Sequence, residues 1–115
     1  MIKRELYMNR ILELIKEELA EAGVAPSQMI SINFEDMRYS HLQTATALHD
    51  EIIKRAEGIE GKAYLFFDEI QEVEGWEKCV NSLRVALDCD IYITGSNAKL
   101  LSGELATYIG GRYVE

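Results

Sequence analysis

Between Glu5 and Ala22 the apolar side chains of Ile11, Ile15, Leu19 and Ala22 recur every three to four residues, with Leu12 and Leu14 widening the stripe, which predicts an amphipathic helix. Gly23 stops it, and Pro26 with Ser27 turns the chain. The pattern then shortens. Met29-Ile30-Ser31-Ile32-Asn33-Phe34 reads as a strand that ends in the acid pair Glu35-Asp36. Ser40-His41-Leu42-Gln43 fits a capping box, so a second helix is expected from His41 to Glu57, burying Leu42, Ala45, Leu48, Ile52 and Ala56 and ending at Gly58.

The run Ala63-Tyr64-Leu65-Phe66-Phe67-Asp68-Glu69 is too short to span a membrane and too aromatic for a comfortable helix. It predicts a buried strand that delivers two carboxylates at its C-terminal end. A loop from Ile70 to Gly75 leads into a third helix from Trp76 to Leu87, with Trp76, Val80, Leu83 and Leu87 on one face. Asp90-Ile91-Tyr92-Ile93-Thr94 is the next strand, and Ser96 or Asn97 is placed to cap a short helix from Ala98. A further helical piece is expected from Glu104 to Ile109, then Gly110-Gly111, then an extended segment from Arg112. Strands and helices alternate at lengths suited to parallel crossovers. The expected architecture is therefore an α/β three-layer sandwich with a mainly parallel sheet, in one domain over residues 1–115.

Composition narrows the partners. A formal net charge of -8 disfavours the broad basic footprint of a nucleic-acid binder. No apolar leader follows Met1-Ile2-Lys3-Arg4 and no long apolar span occurs, so a cytoplasmic protein without membrane insertion is expected. Cys79 and Cys89 read as reduced packing residues, and His41 and His49 as helix-surface residues without a third metal ligand.

Adjacent acids at a buried strand end suit a division of labour, in which one holds a divalent cation through water and the other orients or deprotonates a nucleophilic water. Magnesium is the natural ion for such oxygen ligands. Thr94, Ser96 and Asn97 close the neighbouring strand at the same sheet edge, where a hydroxyl or amide reaches a water or a phosphate oxygen. Against this stands a plain reading in which the acids only cap the next helix or meet solvent. Glu35-Asp36, an identical kind of pair, is assigned to turn chemistry and surface.

Two blocks carry a resemblance. Tyr64-Leu65-Phe66-Phe67-Asp68-Glu69-Ile70-Gln71-Glu72-Val73-Glu74-Gly75-Trp76-Glu77 is the first, and Asp90 to Ala106 with Gly111-Arg112-Tyr113 is the second. Together with Ile32-Asn33-Phe34-Glu35-Asp36, they resemble a prokaryotic family of AAA-type P-loop ATPases from Leu12 onward. The resemblance implies that Asp68 is the Walker B aspartate on magnesium and Glu69 the acid that activates water. It also implies that Ser96 or Asn97 is the sensor-1 residue reading the terminal phosphate of ATP, and that Arg112 either contacts phosphate or holds structure.

One departure qualifies it. The family carries a Walker A loop, Gly-x-x-x-x-Gly-Lys-Ser/Thr, whose amides and lysine hold the phosphates, and this sequence has no such run. The segment to Ile11 resembles the family's lead-in and Leu12 to Gly23 the helix after the loop, so the strand and loop between them are missing. The chain therefore reads as part of an ATPase core that ends before the family's later strands. It is expected to bind ATP weakly or not at all and to be inactive alone, with Lys99 or Arg112 a poor substitute for the loop. Three parallel strands should remain, in the order Asn33, Asp68, Thr94, with the Thr94 strand an open edge that invites self-association and the Arg112 strand without a neighbour. Two other readings stay open: a non-catalytic α/β interaction module acting through that edge, and a magnesium-dependent receiver-like or nuclease-like domain.

Overall fold

A computed structural model describes residues 4–95, 106–109 and 112–114, with side chains over residues 11–95. The first helix, α1, spans Arg4–Glu21 and ends where Gly23 turns at φ 104, a left-handed value open to a residue without Cβ. Strands β1 (Met29–Asn33), β2 (Ala63–Asp68) and β3 (Cys89–Gly95) alternate with helices α2 (Ala45–Ala56) and α3 (Trp76–Ala86). Two further strands, β4 (Ala106–Ile109) and β5 (Arg112–Val114), complete a five-stranded sheet ordered β1-β2-β3-β4-β5.

The two parallel pairings obey the crossover reading of the sequence. β1 runs parallel to β2 with Asn33 opposite Asp68, and β2 parallel to β3 with Phe67 opposite Ile93. Side chains alternate across this sheet, and each face finds its own cover. Ile30, Ile32, Leu65, Phe67, Ile91 and Ile93 meet Leu48 and Ile52 of α2 and Trp76, Val80 and Leu83 of α3 in the principal core. Phe66 and Tyr92 point the other way, stacked with centroids 5.0 Å apart, and are closed over by Leu12, Ile15 and Leu19 of α1. Helices on both faces of a mostly parallel sheet make the three-layer α/β sandwich.

Three expectations are corrected. Residues 106–109 are strand, not helix, and β4 pairs antiparallel with β3 through Ile93↔Tyr108, Thr94↔Thr107 and Gly95↔Ala106. The β3 edge is thus covered rather than open. The segment from Arg112 also has a neighbour, because β5 folds back on β4 with Ile109 opposite Arg112. Ala-Thr-Tyr-Ile favours strand by its β-branched and aromatic members, and unpaired amides along β3 give it a template.

The third correction is at α2, which starts at Ala45 rather than His41. Thr44 is its N-cap, its hydroxyl accepting the Ala47 N–H at 3.2 Å, while residues Met37–Leu42 form a 3-10 segment. The capping-box glutamine is engaged elsewhere: the Gln43 side chain donates to the Phe34 carbonyl at 3.3 Å. Backbone bonds between Gln43, Ala45 and Glu74 tie the start of α2 to the start of α3. Gly75 turns the chain there at φ 75, a left-handed value open to a residue without Cβ, beside the Ala45 methyl. Glu35-Asp36 behaves as turn chemistry: Asp36 accepts the Arg38 N–H at 2.9 Å and pairs with its guanidinium at 2.6 Å. Both cysteines are free, and burial pushes the Cys79 thiol up to about 11.

Candidate functional site

The site is built where β2 ends. Asp68 continues the alternation that points Phe66 toward α1, so its carboxylate emerges on the α1 side of the sheet. Parallel register places Thr94 beside it, and the Thr94 hydroxyl donates to Asp68 Oδ1 at 2.5 Å. The Thr94 hydroxyl oxygen in turn accepts the Glu69 N–H at 3.3 Å. Thr94 is fully buried and is thus engaged with the two acids themselves.

Glu69 leaves the strand through a left-handed turn, φ 60 and ψ 50, the one non-glycine residue with positive φ among the described residues. Such a conformation costs a residue with a Cβ about 1 kcal/mol and persists where surrounding contacts impose it. Here the Thr94 oxygen holds the amide, and Gln71 Nε2 donates to Glu69 Oε1 at 2.6 Å. The turn separates the two carboxylates: Glu69 is only 4% exposed, whereas Asp68 borders a crevice.

That crevice, of about 260 Å³, is walled by Leu12, Glu13 and Lys16 of α1, Ser31, Ile32 and Asn33 of β1, and Asp68. Lys16 Nζ donates to Ser31 Oγ at 2.7 Å and to Glu13 at 3.2 Å and lies 5.2 Å from the Phe66 ring centroid. A larger hollow of about 440 Å³ is walled by one continuous stretch, residues 71–77, from the turn after β2 to the start of α3. The crevice at Asp68 is the better candidate because three elements converge on it at the carboxyl ends of parallel strands.

Electrostatics single out Asp68. Partial burial raises its carboxyl above the ordinary 3.8; the Thr94 hydrogen bond pulls it back, the Glu69 charge pushes it up again, and Lys16 draws it down more weakly. A cation delivered to the crevice would favour the charged form.

Of the residues expected from sequence, Asp68 and Glu69 are brought together with Thr94. Ser96, Asn97 and Lys99 lie outside the described residues. Arg112 starts β5, two strands from β3, and its backbone alone is described. Lys16 and Gln71 were not anticipated. Lys16 stands four residues after Leu12, in register with the buried stripe of α1, and a lysine at that spacing was the available signal. Nothing in the sequence marked Gln71. His49 accepts or donates a 3.0 Å hydrogen bond with Ser82 across α2 and α3, and no cluster of three or more acids, histidines and cysteines forms among the described residues.

A mostly parallel sheet with helices on both faces and carboxylates at the C-terminal end of β2 is an α/β fold consistent with a P-loop NTPase-like core. The pattern of the family described as an AAA domain matches residues 10–115, so the chain belongs to that AAA family. It is similar to an uncharacterized protein of Haemophilus influenzae, 46% identical over 100 residues that make up 87% of this chain and 25% of that protein. It is also similar to an uncharacterized protein of Methanocaldococcus jannaschii, 46% identical over 83 residues, 72% of this chain and 18% of that one. The chain thus spans about a quarter or less of the curated relatives it matches. No solved structure matches it significantly.

Proteins of the AAA family generally use ATP and magnesium. The donor set at Asp68 fits magnesium: one carboxylate beside a crevice of oxygen-bearing side chains suits an ion that keeps several waters. The same crevice does not fit a triphosphate. Its walls bring one lysine with two carboxylates, and residues 1–115 contain no Gly-x-x-x-x-Gly-Lys-Ser/Thr run whose amides would hold phosphates.

Proposed function

We propose that residues 1–115 are a partial AAA-type ATPase core, in which Asp68 is the Walker B carboxylate for magnesium and Glu69 the acid that orients or deprotonates a water. The observation that carries this reading is the different settings of two consecutive acids. Asp68 faces the crevice with Thr94 on one oxygen, while Glu69 is turned aside and held through Gln71. Ser96 or Asn97 takes the sensor-1 role and Arg112 a phosphate or structural role, in a cytoplasmic protein. Without a Walker A loop the phosphates lack their amide cradle, so this chain alone binds ATP weakly or not at all and does not turn it over.

Titration of the chain with ATP, with and without magnesium, and an assay of phosphate release test this. Weak, magnesium-dependent binding that Asp68→Asn abolishes, with no release, is the expected result. Magnesium-dependent turnover that vanishes in Glu69→Gln would overturn the inactivity. Complete silence toward nucleotide would favour the non-catalytic interaction module, although the β3 edge which that reading used is covered by β4.

A further inference from the structure

We infer that Lys16 is a built-in counter-cation that competes with a divalent ion for the crevice beside Asp68. This rests on the reading of Asp68 as the magnesium carboxylate. It goes further, because it assigns a metal-antagonising role to a side chain of α1.

The lysine is not a loose surface group. Its ammonium is fixed between Ser31 Oγ at 2.7 Å and Glu13 Oε2 at 3.2 Å and lies over the Phe66 ring, and its side chain is only 24% exposed. Lys16 and Asp68 wall the same crevice of about 260 Å³. An ammonium carries three donors, two of which Ser31 and Glu13 engage, so it answers anionic oxygens without leaving its place. A doubly charged ion entering the crevice meets a fixed positive charge in a partly desolvated space, where like charges repel more strongly than in water. Glu13 and Asp68 bring two negative charges to the walls against that one positive charge. Removing the ammonium should leave a crevice that favours a cation.

Manganese(II), a spectroscopic substitute for magnesium, is titrated at low salt by electron paramagnetic resonance into the wild-type chain, Lys16→Met, Lys16→Arg, Asp68→Asn and the double variant Lys16→Met/Asp68→Asn. Lys16→Met should tighten binding by at least ~10-fold, Lys16→Arg should stay near wild type because its charge is retained, and the gain should disappear in the double variant. Equal, Asp68-dependent affinities in wild type and Lys16→Met would overturn the inference while leaving Asp68 as the metal carboxylate. A gain that survives in the double variant would overturn it by placing the metal elsewhere. Absence of Asp68-dependent binding in every variant would remove the metal reading of Asp68 and this inference with it. Lys16→Gln carries the same expectation should Lys16→Met fail to fold.

Discussion

The Thr94 hydroxyl binds the two acids to each other: it donates to Asp68 Oδ1 at 2.5 Å and accepts the Glu69 N–H at 3.3 Å. One buried oxygen therefore sets both the carboxylate at the end of β2 and the backbone of the left-handed turn that follows. Thr94→Val keeps the shape and removes both bonds, leaving a buried amide and a partly buried carboxylate short of a partner. A loss of about 1–3 kcal/mol in chemical denaturation is expected, with Thr94→Ser close to wild type. Because the bond to Thr94 holds the Asp68 carboxyl down against burial, its titration followed by carbon NMR should move further up in Thr94→Val.

The pH dependence follows with a definite sign. Asp68 titrates above its ordinary 3.8 in the folded chain, chiefly through burial, so the folded state holds its proton more tightly than the unfolded one. Its contribution to stability is full below the ordinary value and is lost as pH rises through the raised one. Asp68→Asn, which keeps an oxygen to accept the Thr94 hydrogen bond, should melt higher than wild type at pH 7. That advantage should shrink on acidification toward the ordinary carboxylate range. Melting curves across that window check it, and a variant that melts lower at pH 7 would show that burial of the charge is offset by contacts an amide cannot replace.

The parallel core was legible because its signals are short-range and redundant. Ala63–Asp68 had no polar residue until its end, Trp76, Val80 and Leu83 kept helical spacing, and both patterns were buried where expected. Asp68 and Glu69 could be picked out as strand-end carboxylates, but their different settings could not. The left-handed turn at Glu69 is imposed by Thr94, twenty-five residues on, and by Gln71, neither of which leaves a local signature. β4 escaped for the same reason. Its strand character depends on finding the bare edge of β3, which is a property of the sheet rather than of residues 106–109.

The start of α2 offers a test of two competing signals. Ser40-His41-Leu42-Gln43 has the spacing of a capping box, yet the helix is capped by Thr44 because Gln43 is turned toward the Phe34 carbonyl and the backbone around Ala45 is bonded to Glu74. Thr44→Ala should lose about 1 kcal/mol of stability. Ser40→Ala should stay within ~0.5 kcal/mol of wild type, as befits a position whose hydroxyl caps nothing. Equal losses at the two positions in urea titrations would mean that the helix begins earlier in solution.

The large core should dominate stability. Phe67 is fully buried at the centre of the sheet with its ring tilted against Phe34 at 5.8 Å, between the helices that cover that face. Truncation to alanine there removes the ring and leaves a cavity the surrounding strands cannot close, a cost of about 3–5 kcal/mol. A domain of this size has a total stability of only about 5–15 kcal/mol. Phe67→Ala should therefore be marginally folded at room temperature by circular dichroism, and wild-type-like melting would show that α2 and α3 repack into the space.

β4 is the element on which solution behaviour turns. It lies between β3 and β5, pairing Thr107 with Thr94 on one side and with Val114 on the other. Proline at position 107 has no N–H to give the ladder and its ring crowds the neighbouring strand, so a central strand does not tolerate it. Thr107→Pro should release β4 from β3 and expose the amides and carbonyls of a largely apolar strand, a template for pairing with another chain. Light scattering should then show self-association growing with concentration in Thr107→Pro and much less in the wild type. If the wild type associates as strongly, the covering of β3 by β4 does not hold in solution, and the sheet presents there the open edge that three parallel strands alone would leave.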